Sequence, residues 1–292
     1  MKYSQFLWLL LVSAIWGASH TLLRIAVPEW GSALTAFFRM AIAATTLIFL
    51  LMGMHKKIRF KENIRAYLIV GFLNASFPIF LFAYAARSLP ASYLVILNSM
   101  SPIFNALFSS LFLKDPFTGR KGLGILLGIG GIVLLEERGT ITQMDSVSWF
   151  AMGCGLLASA CYALAAVYVK AAKKKIEPTV LTAGSNIIGT LFLFPFALQG
   201  DWHWTWGNAL PAVLMLGILG SGFAFVIYYR LIAEIGAFRS SLTTFVMPIF
   251  GLFWGWWFLD EKANSFMLIG VAMIISATSL FMKPESKVGT PS

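Results

Sequence analysis

The chain has 292 residues, of which 59% are hydrophobic and only 12% are charged. A soluble domain carries about 25% charged residues, so these charges are too few to cover a water-soluble protein, and the composition predicts an all-α polytopic membrane protein. The formal net charge of +10 does not indicate nucleic-acid binding, because the Lys and Arg residues lie in short segments between apolar runs.

Ten apolar runs follow one another along the chain, and each is close to the roughly 20 residues that a membrane-spanning helix needs. Nine runs follow the first, so we expect it to be a membrane helix rather than a cleaved signal sequence. The connectors leave no room for a soluble domain, and the polar tail 285–292 is expected to be disordered in the cytoplasm. The predicted spans are 6–26, 32–53, 66–86, 91–113, 121–136, 148–170, 179–198, 209–232, 238–259 and 265–282.

The distribution of basic residues predicts the orientation. If both termini face the cytoplasm, most of the 22 Lys and Arg residues fall on the cytoplasmic side, as basic loop residues do in membrane proteins. We therefore expect a multi-pass protein of a bacterial cytoplasmic (inner) membrane, with both termini inside.

The two halves of the sequence align at an offset of 146 residues. Pro102-Ile103-Phe104 then meets Pro248-Ile249-Phe250, and Gly124 meets Gly270. Each half holds five predicted spans, an odd number, so the second half enters the membrane from the opposite side. The pattern predicts two inverted five-helix repeats, 1–146 and 147–284. Secondary transporters built in this way bind substrate near the bilayer midplane, between the repeats.

Several features in a fixed order carry a family resemblance. They are Trp16-Gly17 in the first span, Arg39 in the second, the paired Pro102 and Pro248 runs, and acidic span ends at Asp115 and Glu261 followed by glycine-rich spans. With these features the whole chain resembles the EamA-type permeases of the drug/metabolite transporter superfamily. The resemblance implies a ten-helix transporter of amino acids, related metabolites or drugs, usually working as an exporter. It also implies that the fourth helix of each half bends and that the fifth packs at the periphery.

Charges within a membrane span are costly and mark functional sites. His20 lies about two-thirds across the first span and Arg39 about a third of the way into the second. If protons drive transport, His20 is the best-placed titrating group; the alternatives are a buried imidazole bonded to a neighbouring helix, and a facilitated or exchange mechanism. For Arg39 we expect pairing with backbone carbonyls or extension towards the membrane surface.

Polar and aromatic residues recur at helical spacing in several spans, which predicts inward-facing stripes. These stripes either line a substrate cavity or connect helices by hydrogen bonds. A pocket that mixes aromatic rings, amides and an imidazole suits a small zwitterion or a neutral metabolite with an apolar part. The predicted substrate-binding residues are Trp16, His20, Asn74, Phe77, Tyr84, Asn98, Ser101, Tyr162, Phe223, Tyr228 and Thr244.

Pro102 and Pro248 each remove a helix hydrogen bond in mid-span. Their equivalence across the repeat predicts paired kinks, which act either as hinges for alternating access or as static bends.

The sequence carries no nucleotide-binding, zinc-hydrolase or serine-hydrolase motif. We therefore expect no catalytic residues, metal site or cofactor, and not an enzyme but a secondary transporter that exports amino acids or related small metabolites. The alternatives are an exporter of amines or drugs and a non-transporting membrane subunit. The expected partners are a small-molecule substrate and the lipid bilayer, with no nucleic acid, and the chain is expected to be a monomer or a homodimer.

Overall fold

A computed structural model describes residues 3–113, 118–133, 146–172, 176–200, 207–240, 242–262 and 265–282. Within these ranges all regular secondary structure is helical, which confirms the all-α prediction for the described part of the chain. The acidic span end at Asp115 and the tail 285–292 lie outside the described residues.

The helices follow the apolar runs, because a backbone in lipid must satisfy its own hydrogen bonds. The α-helices are α1 Tyr3–Gly53, α2 Phe60–Val70, α3 Phe77–Ala85, α4 Ala91–Asn98, α5 Ser101–Phe112, α6 Gly119–Val133, α7 Ser146–Ala171, α8 Pro178–Leu198, α9 Ala209–Met215, α10 Ala224–Ser240, α11 Leu242–Leu259 and α12 Ser265–Met282. Two π-helical segments, Gly71–Ser76 and Leu216–Phe223, join α2 to α3 and α9 to α10.

Helix α1 holds the first two predicted spans, and it turns back on itself at one residue. Gly31 has φ 70° and ψ 167°, and it is the non-helical position inside α1. A left-handed φ with an extended ψ is accessible almost only to glycine. The reversal therefore needs no loop, only Gly31, three residues after Pro28.

The two π-helical segments have the same wide hydrogen-bonding pattern. The N–H of Phe77 donates to the carbonyl of Phe72, five residues back, at the end of the first segment. The N–H of Ala224 donates to the carbonyl of Leu219 in the same way at the end of the second. A π-turn inserts one residue into an α-helix and is frequent at functional sites. It also changes which side chains face inward after it.

The two mid-span prolines have different backbones around them. The helix breaks at Ser99–Met100, between α4 and α5, whereas Pro248 lies inside α11. Pro102 has no N–H to give to the carbonyl of Asn98, four residues back. The hydroxyl of Ser101 donates to that carbonyl instead, at 2.8 Å. The backbone is thus interrupted before Pro102, whereas α11 continues through Pro248.

Helix α1 lies at the centre of the molecule, in contact with α3, α4, α8, α9, α10 and α11. Glycine permits some of this close packing: a Cβ added at Gly17 would lie 2.8 Å from the Cβ of Phe250 in α11. Helices α6 and α12 instead pack mainly on each other. A Cβ at Gly131 would lie 2.9 Å from the carbonyl oxygen of Gly270, so the two backbones are close.

The outer surface is apolar. Large side chains such as Phe49, Leu126 and Trp257 are more than 60% exposed, which is typical of a lipid-facing surface and not of a soluble monomer. Six of the described helices or helix combinations are long and apolar enough to cross a membrane, and three shorter apolar helices accompany them. The described chain therefore has the construction of a multi-pass membrane protein.

Candidate functional site

A cavity of about 340 Å³ lies between the helices of the two halves. Both π-helical segments border it, as do α1, α3, α7, α8, α10 and α11 and the α4–α5 break. Its lining residues are Trp16, Ser19, His20, Leu23, Arg39, Met40, Asn74, Ala75, Ile79, Phe82, Asn98, Ser101, Tyr162, Ala166, Asn186, Gly220, Ser221, Phe225, Tyr228, Thr244 and Met247.

Most lining residues from the first half of the chain correspond to lining residues from the second half at the offset of 146 residues seen in the sequence. Eighteen of the twenty-one lining residues form nine pairs at this offset. The pairs are Trp16 and Tyr162, His20 and Ala166, Met40 and Asn186, Asn74 and Gly220, Ala75 and Ser221, Ile79 and Phe225, Phe82 and Tyr228, Asn98 and Thr244, and Ser101 and Met247. Ser19, Leu23 and Arg39 are the lining residues without a counterpart.

An aromatic cluster forms one wall. The ring of Trp16 lies 5.4 Å from that of Phe225 and 5.0 Å from that of Tyr228. The indole N–H of Trp16 donates to the carbonyl of Gly220 at 3.0 Å. That carbonyl belongs to the second π-helical segment, so Trp16 joins α1 to the turn that shapes the cavity.

A second aromatic group includes the imidazole. The ring of His20 meets that of Phe82 edge to face at 5.2 Å, and Phe82 is stacked on Tyr162 at 6.1 Å. His20 is buried, and its Nδ1 has no hydrogen-bond partner among the described residues. The Nδ2 of buried Asn186 also has none. Buried polar atoms nearly always have partners, so these two atoms are exceptions in the described part of the chain.

Arg39 brings a fixed positive charge to the cavity. It is 8% exposed, and its Nε donates to the hydroxyl of Ser221 at 3.2 Å. We expected Arg39 to pair with backbone carbonyls or to extend towards the membrane surface. The structure places it instead in the interior, bonded to a side chain of the other half.

The cavity includes most of the predicted site residues. Eight of them line it, namely Trp16, His20, Asn74, Asn98, Ser101, Tyr162, Tyr228 and Thr244. The remaining three lie elsewhere. Phe77 is stacked on Phe72 at 5.2 Å, Tyr84 packs on Phe150 near Arg87, and Phe223 is 48% exposed on the outer surface.

The π-helical segments account for these three differences. A stripe with α-helical spacing from Asn74 leads to Phe77 and Tyr84. The π-helical segment that contains Asn74 adds a residue to the turn, so Ile79 and Phe82 face the cavity instead. Phe223, which lies 146 residues after Phe77, ends the second π-helical segment, where it faces outward.

Four polar lining residues were missed as site residues, namely Ser19, Arg39, Asn186 and Ser221. Arg39 had a visible signal, a charge at membrane depth, but its expected partners were wrong. Asn186 is the amide in the middle of the apolar run that forms α8, and amides do not face lipid cheaply. That rule alone would have found it.

Carboxylates hold the two halves together at one end of the bundle. The side chain of Glu29 accepts from the N–H groups of Asn208 and Ala209, at the start of α9. The side chain of Glu261 accepts from the N–H groups of Ala91 and Ser92, at the start of α4. We name this end the Glu29 end.

Ion pairing and hydrogen bonding connect the halves at the opposite end. Lys56 pairs with Glu177, between α1 and α8, and Gln5 donates to Glu234 of α10. We name this end the Lys56 end. Near the Glu29 end the lining residues Leu23 and Phe82 are almost fully buried, whereas Ala166, towards the Lys56 end, is exposed.

The lining is suited to binding a small molecule rather than to holding a metal. No group of three His, Cys, Asp or Glu side chains among the described residues is placed to hold a metal ion. The lining offers amides, hydroxyls, aromatic faces and one guanidinium, a combination that orients small polar ligands with an apolar part.

The sequence profile of the EamA-like transporter family matches the chain twice, over residues 4–136 and 149–283. Similar proteins include the uncharacterized transporter YoaV of Bacillus subtilis (strain 168), 24% identical over 90% of this chain and 91% of its own. An uncharacterized transporter of Archaeoglobus fulgidus is 27% identical over 96% and 98% of the two chains. The WAT1-related protein At3g02690, chloroplastic, of Arabidopsis thaliana is 26% identical over 95% of this chain and 70% of its own.

A solved crystal structure has the same fold, with a TM-score of 0.67 and 17% identity over 96% of both chains. The two profile matches cover nearly the whole chain, and they agree with the apolar helices and with the interior cavity. The chain therefore belongs to the EamA-like transporter family and is a multi-pass membrane transporter, not an enzyme.

Proposed function

We propose that the protein is a secondary transporter that exports amino acids or related small metabolites across a bacterial cytoplasmic membrane. It does so by alternating access between two inverted five-helix halves, with both termini in the cytoplasm. The observation that carries this proposal is the cavity, because its lining pairs residue by residue across the two halves. A site built by both repeats is where such transporters bind substrate.

Three further observations support the inverted duplication. The family profile matches once in each half. The offset of 146 residues places the π-helical segment Gly71–Ser76 on 217–222, inside the second one. The non-helical position at Gly31 divides α1 into two arms, and counting these arms separately supports the proposal of ten crossings, five in each half.

The contacts at the two ends suggest how access alternates. The Glu29 end is closed by carboxylates that bind helix N-termini of the opposite half. The cavity reaches towards the Lys56 end, where Ala166 is exposed. In the proposed topology the Lys56 end is cytoplasmic, so this conformation receives substrate from inside the cell. Export then requires the bonds of Glu29 and Glu261 to open.

The composition of the cavity favours amino acids. Amides and hydroxyls can accept from an ammonium group, and aliphatic residues such as Met40 and Ile79 can contact an apolar side chain. One observation favours amines or drugs instead, since the cluster of Trp16, Phe225 and Tyr228 can hold a cation by cation–π contact. The fixed charge of Arg39 opposes a cationic substrate, so we place amino acids first.

Counterflow in proteoliposomes tests the proposal. Vesicles containing purified protein are loaded with one unlabelled amino acid, and uptake of the labelled compound is followed. We expect exchange with a group of amino acids and none in protein-free vesicles. Exchange with amines alone would replace the amino-acid assignment by the amine alternative. Silence with all compounds, from protein shown to be folded, would contradict the transport of either class.

A further inference from the structure

We propose that Arg39 binds the carboxylate of the substrate, and that the cavity therefore takes small zwitterions or monocarboxylates and rejects amines that lack a carboxylate. This inference rests on the proposed function and specifies the substrate class of the same site. It begins from the position of Arg39, which has no counterpart in the otherwise paired lining.

The guanidinium is held in one orientation. Its Nε donates to Ser221, and a Cβ added at Gly220 would lie 4.0 Å from Nη2. The guanidinium therefore rests against the second π-helical segment. Nη1 and Nη2 donate to no described residue. The two NH2 groups of a planar guanidinium match the two oxygens of a carboxylate, one N–H from each.

The described part of the chain offers this charge no acidic partner. Of its six Asp and Glu residues, none lines the cavity. Glu29 and Glu261 bind helix N-termini, and Glu62, Glu177 and Glu234 pair with basic residues near helix ends. An arginine remains protonated in a protein, and a buried charge without a partner is costly. A substrate carboxylate would supply a counter-charge that the described residues do not.

The rest of the lining limits what that carboxylate is attached to. A single guanidinium matches one negative charge, whereas a phosphate ester would need a group of cations. The side chains of Asn74 and Asn98 line the cavity, and their amides can bond a second polar group of the substrate. The remaining wall, with Phe82 and Met247, suits an apolar side chain. A neutral α-amino acid with an apolar side chain meets all these conditions.

Four related compounds test separately whether binding needs the carboxylate or the ammonium group of the substrate. Phenylalanine has both charged groups, phenylpropionate lacks the ammonium group, and phenylalaninamide and phenethylamine lack the carboxylate. Each is tested with the wild-type protein in two assays, as the internal compound in counterflow and as a ligand in thermal unfolding in detergent. We expect both carboxylates to stabilise the protein and phenylalanine to exchange. For the amide and the amine, we expect both stabilisation and exchange to be at least about 10-fold weaker at equal concentration.

Variants then assign the effect to the guanidinium. Arg39→Gln should weaken the binding of phenylalanine by roughly 100-fold, because it removes a charge-assisted pair. Arg39→Lys should recover part of the loss, since it restores the charge without the fork. Arg65→Gln, on the exposed surface of α2, is the matched control and should behave as wild type. If Arg39→Gln fails to fold, the comparison of the four compounds on the wild type remains a complete test.

The outcomes separate this inference from the proposed function. Equal exchange of phenylalanine and phenethylamine would overturn the carboxylate assignment while leaving a working transporter. Stabilisation by the carboxylates without any counterflow would support the Arg39 site and contradict amino-acid exchange. If none of the four compounds binds, the carboxylate assignment is rejected.

Discussion

The carboxylate of Glu261 accepts a hydrogen bond from the backbone N–H of Ala91 at 2.7 Å, and its second oxygen accepts from the next N–H at 3.0 Å. Glu261 follows α11 in the second half of the chain, and Ala91 begins α4 in the first. A carboxylate at a helix N-terminus satisfies unpaired N–H groups and is favoured by the helix dipole. Glu29 makes the corresponding pair of bonds to the start of α9, both at 3.1 Å.

Replacing these carboxylates should loosen the Glu29 end. Glu261→Gln removes the charge and keeps the size, so we expect a loss of about 1–2 kcal/mol in the free energy of unfolding. The same change should increase opening at this end, because the bonds that close it are weaker. A cysteine at buried Val27, in a background without the two native cysteines, should then react faster with a water-soluble maleimide.

Glu62→Gln is the matched control, because Glu62 is an exposed residue near the start of α2 that pairs with exposed Arg59. Such surface pairs contribute little, so this variant should keep both the stability and the labelling rate of wild type. Equal labelling of the Val27 cysteine in the Glu261→Gln and Glu62→Gln proteins would show that Glu261 does not close this end.

Gly31 offers a test of the reversal in α1. Its φ of 70° is unfavourable for any residue with a Cβ, although no atom lies within 4 Å of the place where the Cβ would be. Gly31→Ala should therefore destabilise the protein through backbone strain alone, by about 1–3 kcal/mol. Thermal unfolding in detergent measures the loss.

Gly153→Ala is the control for this strain. Gly153 also has no atom within 4 Å of an added Cβ, but it lies inside α7 with a helical backbone. Alanine is the better helix former by about 0.5–1 kcal/mol, so this variant should be slightly more stable than wild type. Two variants of the same chemistry should thus change stability in opposite directions, and a gain at both positions would contradict the backbone argument.

Much of the fold could be predicted from the sequence because lipid allows few alternatives. An apolar run must become a helix in lipid, and the observed α7 and α8 differ from their predicted spans by at most two residues at either end. Turn geometry could not be predicted in this way. Spans 6–26 and 32–53 imply a connecting loop, yet Gly31 alone reverses the chain. Nothing in the apolar pattern distinguishes a loop from a one-residue reversal.

The candidate site could likewise be predicted only in part from the sequence. Helical spacing placed Trp16 and His20 on one face, and both line the cavity. The prediction from helical spacing failed after Asn74. A π-turn has no known signature in the apolar pattern, and it rotates the side chains that follow it around the helix axis. Arg39 shows a different limit. A sequence shows that a charge lies at membrane depth, but its partner Ser221 is 182 residues away and becomes visible only in the fold.

Trp16 should matter for both the fold and the site. Trp16→Phe keeps an aromatic ring beside Tyr228 but removes the N–H that donates to Gly220 at 3.0 Å. The carbonyl of Gly220 then loses this donor inside the second π-helical segment, at a cost of about 1–3 kcal/mol. We expect lower thermal stability and a higher KM in counterflow. Trp149→Phe, at a half-exposed position near the start of α7, should change neither quantity.

Alanine variants of His20 and Asn98 test whether the substrate binds in the cavity. Both line it, from α1 and from the end of α4. His20→Ala and Asn98→Ala should each remove one hydrogen bond to a bound substrate and raise KM about 5-fold, for a loss of about 1 kcal/mol. Folded protein should be retained, because neither side chain makes a strong internal bond; the amide of Asn98 lies 4.0 Å from the sulfur of Met247.

Exposed residues of the same types provide the controls for this last test. His55→Asn and Gln199→Ala change an imidazole and an amide on the exposed surface, so both should transport as wild type does. The double variant His20→Ala, Asn98→Ala should raise KM more than either single variant does, because each side chain offers its own hydrogen bond to the ligand. Full activity in both single variants would contradict the proposal that the substrate binds in this cavity.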